Sequence, residues 1–430
     1  MPEASFFHAS SFSEIRDGLI TALAEHEALF PRDPHALVLV KPNLNANMNA
    51  LTGNTTDLRL LSAVLSILKD RGCREIVVGE GTNSGFYRNK IGVISRLMVD
   101  RLAAHYGVRV ADLNHSLETV DVPFEDGVTA KAAAVCAKAA LFINMPVIKT
   151  HFEAGMTVCL KNLMGCLAGQ ENKKKTHKSL AANILNLNAA IRPHLHIVDG
   201  LTAMEGLGPT RGVPKRLDLV LVGRDPYLLD LACARLAHFP WTKVRTLALA
   251  QMRGLLTPGH FAAVDAMDLD GLSAPFAPPK AGPLATFIHH PSRQKYFLAV
   301  RNTRFFTYLA GTDWFGKLLF KTGLRQDVFC KEEMRCEGLS LDPERCEADR
   351  GCRVCREYCP LGLDPVRLLR ARESGEKSGC LGCLYCFMTC PEKAIGFLGE
   401  MGFLDEQMRQ YDALIREMAA NKPGRGGKGA

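Results

Sequence analysis

Short apolar runs alternate with longer amphipathic stretches through the first half of the chain. Residues 36–40 (ALVLV), 75–78, 108–112, 141–145, 196–198 and 217–222 are short apolar segments bounded by polar ones, which reads as buried strands. Between them apolar residues recur at helical spacing. Ser11 with Glu14 forms a capping-box pattern that opens a helix to about residue 28. Residues 56–69 place Leu60, Leu61, Val64, Leu65 and Leu68 on one face and stop at Gly72; 94–106, 180–191 and the stretch after Pro226 also read as helices. Strands alternating with helices predict an α/β domain over 1–255 with a largely parallel, doubly wound sheet. Ligands of such sheets bind outside the carboxyl ends of the strands. Polar loops fall there, Lys41-Pro42-Asn43-Leu44-Asn45 after the first run and Gly79 to Gly85 after the second.

The pattern changes near residue 254. A stretch rich in Pro, Gly and Ala runs to 283 and reads as a connector. From 284 to 325, Phe287, Tyr296, Phe297, Phe305, Phe306, Tyr308, Trp314, Phe315 and Phe320 are interleaved with Arg293, Lys295, Arg301, Arg304, Lys317 and Lys321, and Asp313 is the only acid. That mixture suits an aromatic packing layer with solvated basic groups, or a surface that docks a membrane or a protein partner. The expected organisation is therefore the α/β domain over 1–255, a connector and basic aromatic segment over 256–325, a second domain over 326–400, and a helix with a disordered basic tail over 401–430.

Composition narrows the class. With 430 residues, 47% hydrophobic and 23% charged, the chain has ordinary globular proportions. No run of about 18 uncharged apolar residues predicts a membrane span. The N-terminus, MPEASFFHASSFSEIRDG, lacks a basic segment followed by an apolar one, so a cytoplasmic setting is expected. A net charge of +8 without a nucleic-acid motif favours anionic ligands or acidic partners rather than nucleic acid. Fifteen cysteines in a reducing compartment point to metal rather than disulfides, and ten of them lie between Cys330 and Cys390.

Their spacing carries specific chemistry. Cys380-x2-Cys383-x2-Cys386-x3-Cys390-Pro391 is a C-x2-C-x2-C-x3-C-P run, and Cys346-x5-Cys352-x2-Cys355-x3-Cys359-Pro360 repeats it with a longer first gap. Zinc sites close with four ligands and lack the x3-C-P tail. The two runs resemble a bacterial two-cluster ferredoxin domain, a small α+β fold. That resemblance implies two 4Fe–4S clusters and an exchange of last ligands, Cys359 joining Cys380, Cys383 and Cys386, and Cys390 joining Cys352 and Cys355. The irregular first gap leaves Cys346 or Cys336 as the first cluster's remaining ligand; Cys330 has no place in either run.

A second constellation lies in the centre of the α/β domain. Lys149 and His151 follow the run 141–145, and Lys161, Asn162 and Lys173 to Lys175 come within thirty residues. Lysines at strand ends suit phosphate or carboxylate groups, and an imidazole titrates near neutrality. Asp199 and Glu205 sit in what reads as a third Gly-rich loop and offer acid–base groups. No complete G-x-G-x-x-G or Walker A sequence is present, so a standard nucleotide site is not expected.

The segments Lys41-Pro42-Asn43, Asn144-Met-Pro-Val-Ile-Lys149-Thr-His151, Leu160-Lys161-Asn162-Leu-Met-Gly165, Asp199-Gly200, Glu205-Gly-Leu-Gly-Pro209 and Asp225-Pro226 with Asp230 resemble the uncharacterised iron–sulfur centre family known as domain of unknown function 362. The resemblance implies a redox role in the cytoplasm, usually of anaerobes, and no particular substrate. The expectation is an iron–sulfur oxidoreductase fed by reduced ferredoxin or another electron donor. Its anionic small-molecule substrate would be held by Lys41, Asn43, Lys161, Asn162, Lys175 and Asp199, with Lys149, His151 and Glu205 as catalytic groups. The other expectation is a ferredoxin-type carrier or a metal or cluster assembly factor serving a partner enzyme.

Overall fold

A computed structural model describes residues 4–279 except 84, 87, 88 and 273, scattered positions between 300 and 318, and residues 330–372, 379–405 and 408. The α/β domain is built on β1 (Ala4–His8), β2 (Val38–Pro42), β3 (Ile76–Glu80), β4 (Arg109–Asp112), β7 (Leu141–Met145), β8 (Val147–His151), β9 (Gly155–Thr157), β10 (Leu195–Leu207) and β11 (Arg211–Gly223). Their order is β1-β11-β10-β7-β2-β3-β4, with β8 beside β10 and β9 beside β8. The pairs β10–β7, β7–β2, β2–β3, β3–β4 and β10–β8 are parallel, whereas β1–β11, β10–β11 and β8–β9 are antiparallel. A separate pair, β5 (Thr119–Pro123) and β6 (Thr129–Ala133), lies off the sheet.

Alternation along the strands explains why both faces are covered. Val38 and Val40 enter one core cluster, with Ile15, Leu19, Leu60 and Leu61 of the first two helices, while Leu39 enters another with Phe142 and Leu187. Likewise Val220 and Val222 of β11 face the first cluster, and Leu219 and Leu221 face a third with Leu228 and Leu229. The central strands β2, β3 and β7 read as largely apolar because neither face meets water.

The helix Phe12–Ala24 begins at its capping box: Glu14 N–H donates to Ser11 Oγ at 3.3 Å and Ser11 N–H to the Glu14 carboxylate at 3.2 Å. Helix Leu58–Asp70 begins at Asp57, which accepts from Arg59 N–H at 2.8 Å. The helix expected over 94–106 is two, Val93–Arg96 and Val99–Tyr106, parted at Met98 with φ 60°. The larger differences concern the site. Lys149 and His151 are on a strand, β8, and the supposed Gly-rich loop from Asp199 is the long hairpin β10–β11. Part of the expected connector also belongs to the domain: helix Pro258–Ala266 packs beside Pro226–Leu236, and Val264, Leu269 and Phe276 are buried in its core.

The C-terminal region is small. β12 (Arg335–Leu341) pairs antiparallel with β13 (Ile395–Glu400), and short helices Val354–Glu357, Pro365–Arg372 and Tyr385–Thr389 lie between them. Tyr358, Leu381, Leu384, Tyr385, Met388 and Leu404 join the first core cluster of the α/β domain, so the two regions share a core. Arg96 clamps them, donating to Glu333 Oε1 at 2.6 Å and to the Cys330 carbonyl at 2.7 Å. Most of the basic aromatic segment and of the tail lies outside the described residues; of that segment's described aromatics, Phe305, Tyr308 and Trp314 are exposed.

Candidate functional site: a lysine cleft beside two cysteine quartets

The carboxyl ends of β2, β3, β7 and β8 converge with Asp199 of β10. Lys149 is buried among them. Its Nζ donates to Asn43 Oδ1 at 2.9 Å and to the Asn54 carbonyl. Asn43 Nδ2 donates to Asn162 Oδ1 at 2.7 Å, Asn162 Nδ2 to Asn144 Oδ1 at 2.7 Å, and Asn144 Nδ2 reaches His196 Nδ1 at 3.0 Å. The chain of amides has one polarity, because each carbonyl oxygen is used by the group before it. Burial pushes His196 down to about 3, so the ring is neutral and Nδ1 accepts.

Burial, then the neighbouring Lys161, pushes Lys149 down to about 7. Burial pushes Lys161 down to about 8, partly offset by Glu153. Neither lysine has a carboxylate within ion-pair distance among the described residues, and Lys161 Nζ makes no hydrogen bond to them. An anion entering this space would restore both charges, since an opposite charge favours the ammonium form. In the segment that shapes the cleft, Asn45 Nδ2 and Asn54 Oδ1 are also buried without partners among the described residues. Each such atom costs roughly 1–3 kcal/mol unless water or a ligand satisfies it.

His151 does not act as a base in this arrangement. Its Nδ1 accepts from the N–H groups of Glu153 at 3.0 Å and Ala154 at 3.2 Å, which places the ring proton on Nε2. Burial, with Lys161 next, holds its pKa well below the usual histidine range, so it remains a neutral donor. Asp199 accepts from Asp57 N–H at 2.6 Å and Leu201 N–H at 3.0 Å; burial, then the Asp57 charge, raises it to about 7.

Other residues expected in the site are engaged elsewhere. Lys41 is fully buried in an ion pair with Glu80 at 3.0 Å, and Glu80 also accepts from Leu44 N–H and Gly81 N–H. Gly165 closes over that pair, and a Cβ there would stand 1.7 Å from Glu80 Oε1, which excludes any side chain. Lys175 points away, to the Thr129 carbonyl at 2.8 Å and Asn172 at 3.1 Å. Glu205 pairs with Lys215 at 3.1 Å and accepts from Ala277 N–H at 3.0 Å, bracing the hairpin rather than the cleft. Lys173 is buried against the carbonyls of Gly81 and Thr82 and the Asn114 side chain. Sequence reasoning missed Asn54, Asp57, Arg59 and His196. The run of asparagines from 43 to 54 was the available signal, since so many amides beside a strand end call for polar partners.

The cysteines divide into two groups. Burial first, then the charges of Asp364, Cys352, Cys390 and Cys346, pushes Cys355 up to about 12. Cys383 is raised by burial and then by Cys359, Cys380 and Asp57, and Cys386 by burial and then by Cys383, Cys380, Cys355 and Cys359. Cys355 thus lies near Cys346, Cys352 and Cys390, and Cys383 and Cys386 lie near Cys380 and Cys359, with Cys355 also beside Cys386. Cys336 instead lies exposed on β12 with Sγ 3.6 Å from the Gly338 carbonyl. Among the described residues no three donors converge on one point as a single metal ion requires. A cubane would spread its thiolates around a core of irons and sulfides, a wider arrangement than a single ion takes. Backbone N–H groups also aim at the sulfurs: Gly382 at Cys380, 3.4 Å, and Ala394 at Cys390, 3.2 Å.

Residues 38–235 match the family model described as Domain of unknown function (DUF362). The thylakoid-associated protein sll1697 of Synechocystis sp. is 26% identical over 246 residues, 52% of this chain and 69% of that protein. The lactate racemase apoprotein of Thermoanaerobacterium thermosaccharolyticum aligns over 54% of this chain at 11% identity with a TM-score of 0.33, and the chain spans 56% of that protein. That score is too low for fold inheritance. No helix among the described residues is long and apolar enough to cross a membrane.

Proposed function

We propose that the protein is an iron–sulfur oxidoreductase acting on an anionic small molecule in the Lys149 cleft. The observation that carries this reading is adjacency. The helix Tyr385–Thr389, within the second cysteine run, packs on the residues that shape the cleft: Leu58 N–H donates to Tyr385 Oη at 3.5 Å, and Asn49 Nδ2 to Met388 Sδ at 3.5 Å. The two quartets would hold two 4Fe–4S clusters in a ferredoxin-like domain, and when bound these supply single low-potential electrons.

The chain's own residues do the rest. Lys149 and Lys161 bind and orient the anion by charge. His151 donates a hydrogen bond from Nε2 without changing protonation. Lys149, held near 7, is the group placed to give up or take back a proton at Nζ, and Asn43 with the Asn54 carbonyl fixes its direction. The electrons would come from reduced ferredoxin or a similar donor, in a cytoplasmic setting.

The reading as a carrier or assembly factor draws its support from Cys330 and the exposed Cys336, two thiols outside the quartets. Anaerobic purification with iron and sulfide analysis, followed by sulfate binding to wild type and Lys149→Ala, tests the choice. Cluster iron together with Lys149-dependent anion binding is expected. Cluster iron with no anion binding would favour the carrier, and only trace iron would remove both.

A further inference from the structure

We infer that the two cysteine quartets have unequal positions: Cys359, Cys380, Cys383 and Cys386 form the cleft-side quartet, and the Asp57–Arg59 pair is the charge link between it and the cleft. This rests on the reading of the quartets as cluster sites and adds their order. Tyr358, the residue before Cys359, lies buried under the Arg59 guanidinium at 4.3 Å. Tyr385, between Cys383 and Cys386, is buried against Leu58. Thr55, Thr56 and Leu58 share one crevice with Gly382, Cys383, Leu384 and Tyr385. Thr56 is also a wall of the cleft, since its Oγ1 accepts from Asn43 N–H at 2.7 Å and donates to the Met145 carbonyl at 2.8 Å.

Charge follows the same path. Arg59 Nη2 stands 2.7 Å from Asp57 Oδ2, and both side chains are buried. Asp57 N–H donates to Asp199 at 2.6 Å, while Arg59 lies over the ring of Tyr358, the neighbour of Cys359. With so little water between, a charge change on either side is transmitted with little screening. The other quartet is edged by surface charges. Its neighbours include Asp364 and the exposed Asp349–Arg370 pair, with nitrogen and oxygen 2.9 Å apart.

The test uses the full chain, anaerobically loaded, with iron and sulfide counted first. EPR-monitored redox titration gives a midpoint potential for each cluster, and Cys380→Ser and Cys352→Ser identify which signal belongs to which quartet. Asp57→Asn removes one negative charge at constant shape. It is expected to shift upward only the potential of the signal that Cys380→Ser removes. Should that variant fail to fold, Lys149→Met at pH 6 removes a cation from the cleft and is expected to lower the same potential alone. A shift confined to the Cys352 signal, equal shifts in both, or none in either overturns the order while leaving the cluster assignment standing. Absence of cluster iron would instead sink the proposed function on which the order depends.

Discussion

The cleft and the cysteine region solve opposite problems. In the cleft, charge is buried inside a core that would fold without it. Lys41, Lys149, Arg59 and Asp199 sit among strands whose two faces are packed with Val, Leu and Ile. Each charge therefore needs a local answer, an ion pair for Lys41 and Arg59, amide oxygens for Lys149, backbone donors for Asp199. The cysteine region has the reverse shortage. Among the described residues it has one two-stranded sheet and short helices, and several of its buried residues, Tyr358, Leu384, Tyr385, Met388 and Leu404, are buried against the α/β domain. A region so poor in its own core draws stability from a neighbour and, on the proposed reading, would draw it from metal. The difference teaches where each region is vulnerable: the cleft to loss of a charge partner, the cysteine region to loss of its ligand or its docking surface.

The comparison breaks most visibly on metal removal. Stripping iron with an oxidant and chelator should make residues 330–405 sensitive to limited proteolysis, while the α/β domain stays resistant. Mass spectrometry of the fragments reads the result, and equal cleavage in both regions would contradict the contrast. Next in size is Arg59→Met, which leaves Asp57 buried and unpaired. A loss of about 3–5 kcal/mol is expected in urea unfolding, with both regions affected because Arg59 also covers Tyr358.

Lys149→Met should leave stability unchanged or slightly higher while weakening sulfate binding about tenfold or more, which calorimetry would detect. The wild type should bind sulfate less well as pH rises through 7 and then 8, where Lys149 and Lys161 lose their protons. The expected slope is about tenfold per pH unit for each lysine above its pKa. The sign for stability is opposite. The Lys149 pKa is about 7 folded and near 10.4 unfolded, so the unfolded chain holds more protons between those values and stability rises with pH across that window. Lys149→Met should flatten that part of the curve.

The smallest effects belong to residues that chain order placed in the cleft and contacts placed outside it. Lys175→Ala and Glu205→Gln should each cost under about 1 kcal/mol and leave sulfate affinity alone. A large loss of affinity in either would return that residue to the site.

How much could be read beforehand follows from the range of the interactions. The buried strands at β2, β3 and β7 were legible because a strand closed on both faces needs a continuous apolar run, and the first helix because Ser11 and Glu14 meet within one turn. The hairpin β10–β11 was not, since its glycines imitate a loop and only the strand pairing shows otherwise. Lys149 and Asn43, expected at strand ends, do meet, although Lys149 and His151 lie within β8 rather than past a strand end. For Lys41, Lys175 and Glu205 the same kind of argument failed, because proximity in sequence does not say which carboxylate or carbonyl lies across from a side chain.

The sequence by itself determined the cysteine pattern, the alternation of strands and helices, and the spacing of the lysines, all of which depend on residues a few positions apart. Only the tertiary structure decided which charges are free. Lys149 meets Asn54 across 95 residues, Lys41 meets Glu80 across 39, and Tyr385 meets Leu58 across 327. Spacing along a chain fixes what one turn or one strand can bring together. The dielectric surroundings of a buried charge are set by every segment that packs around it.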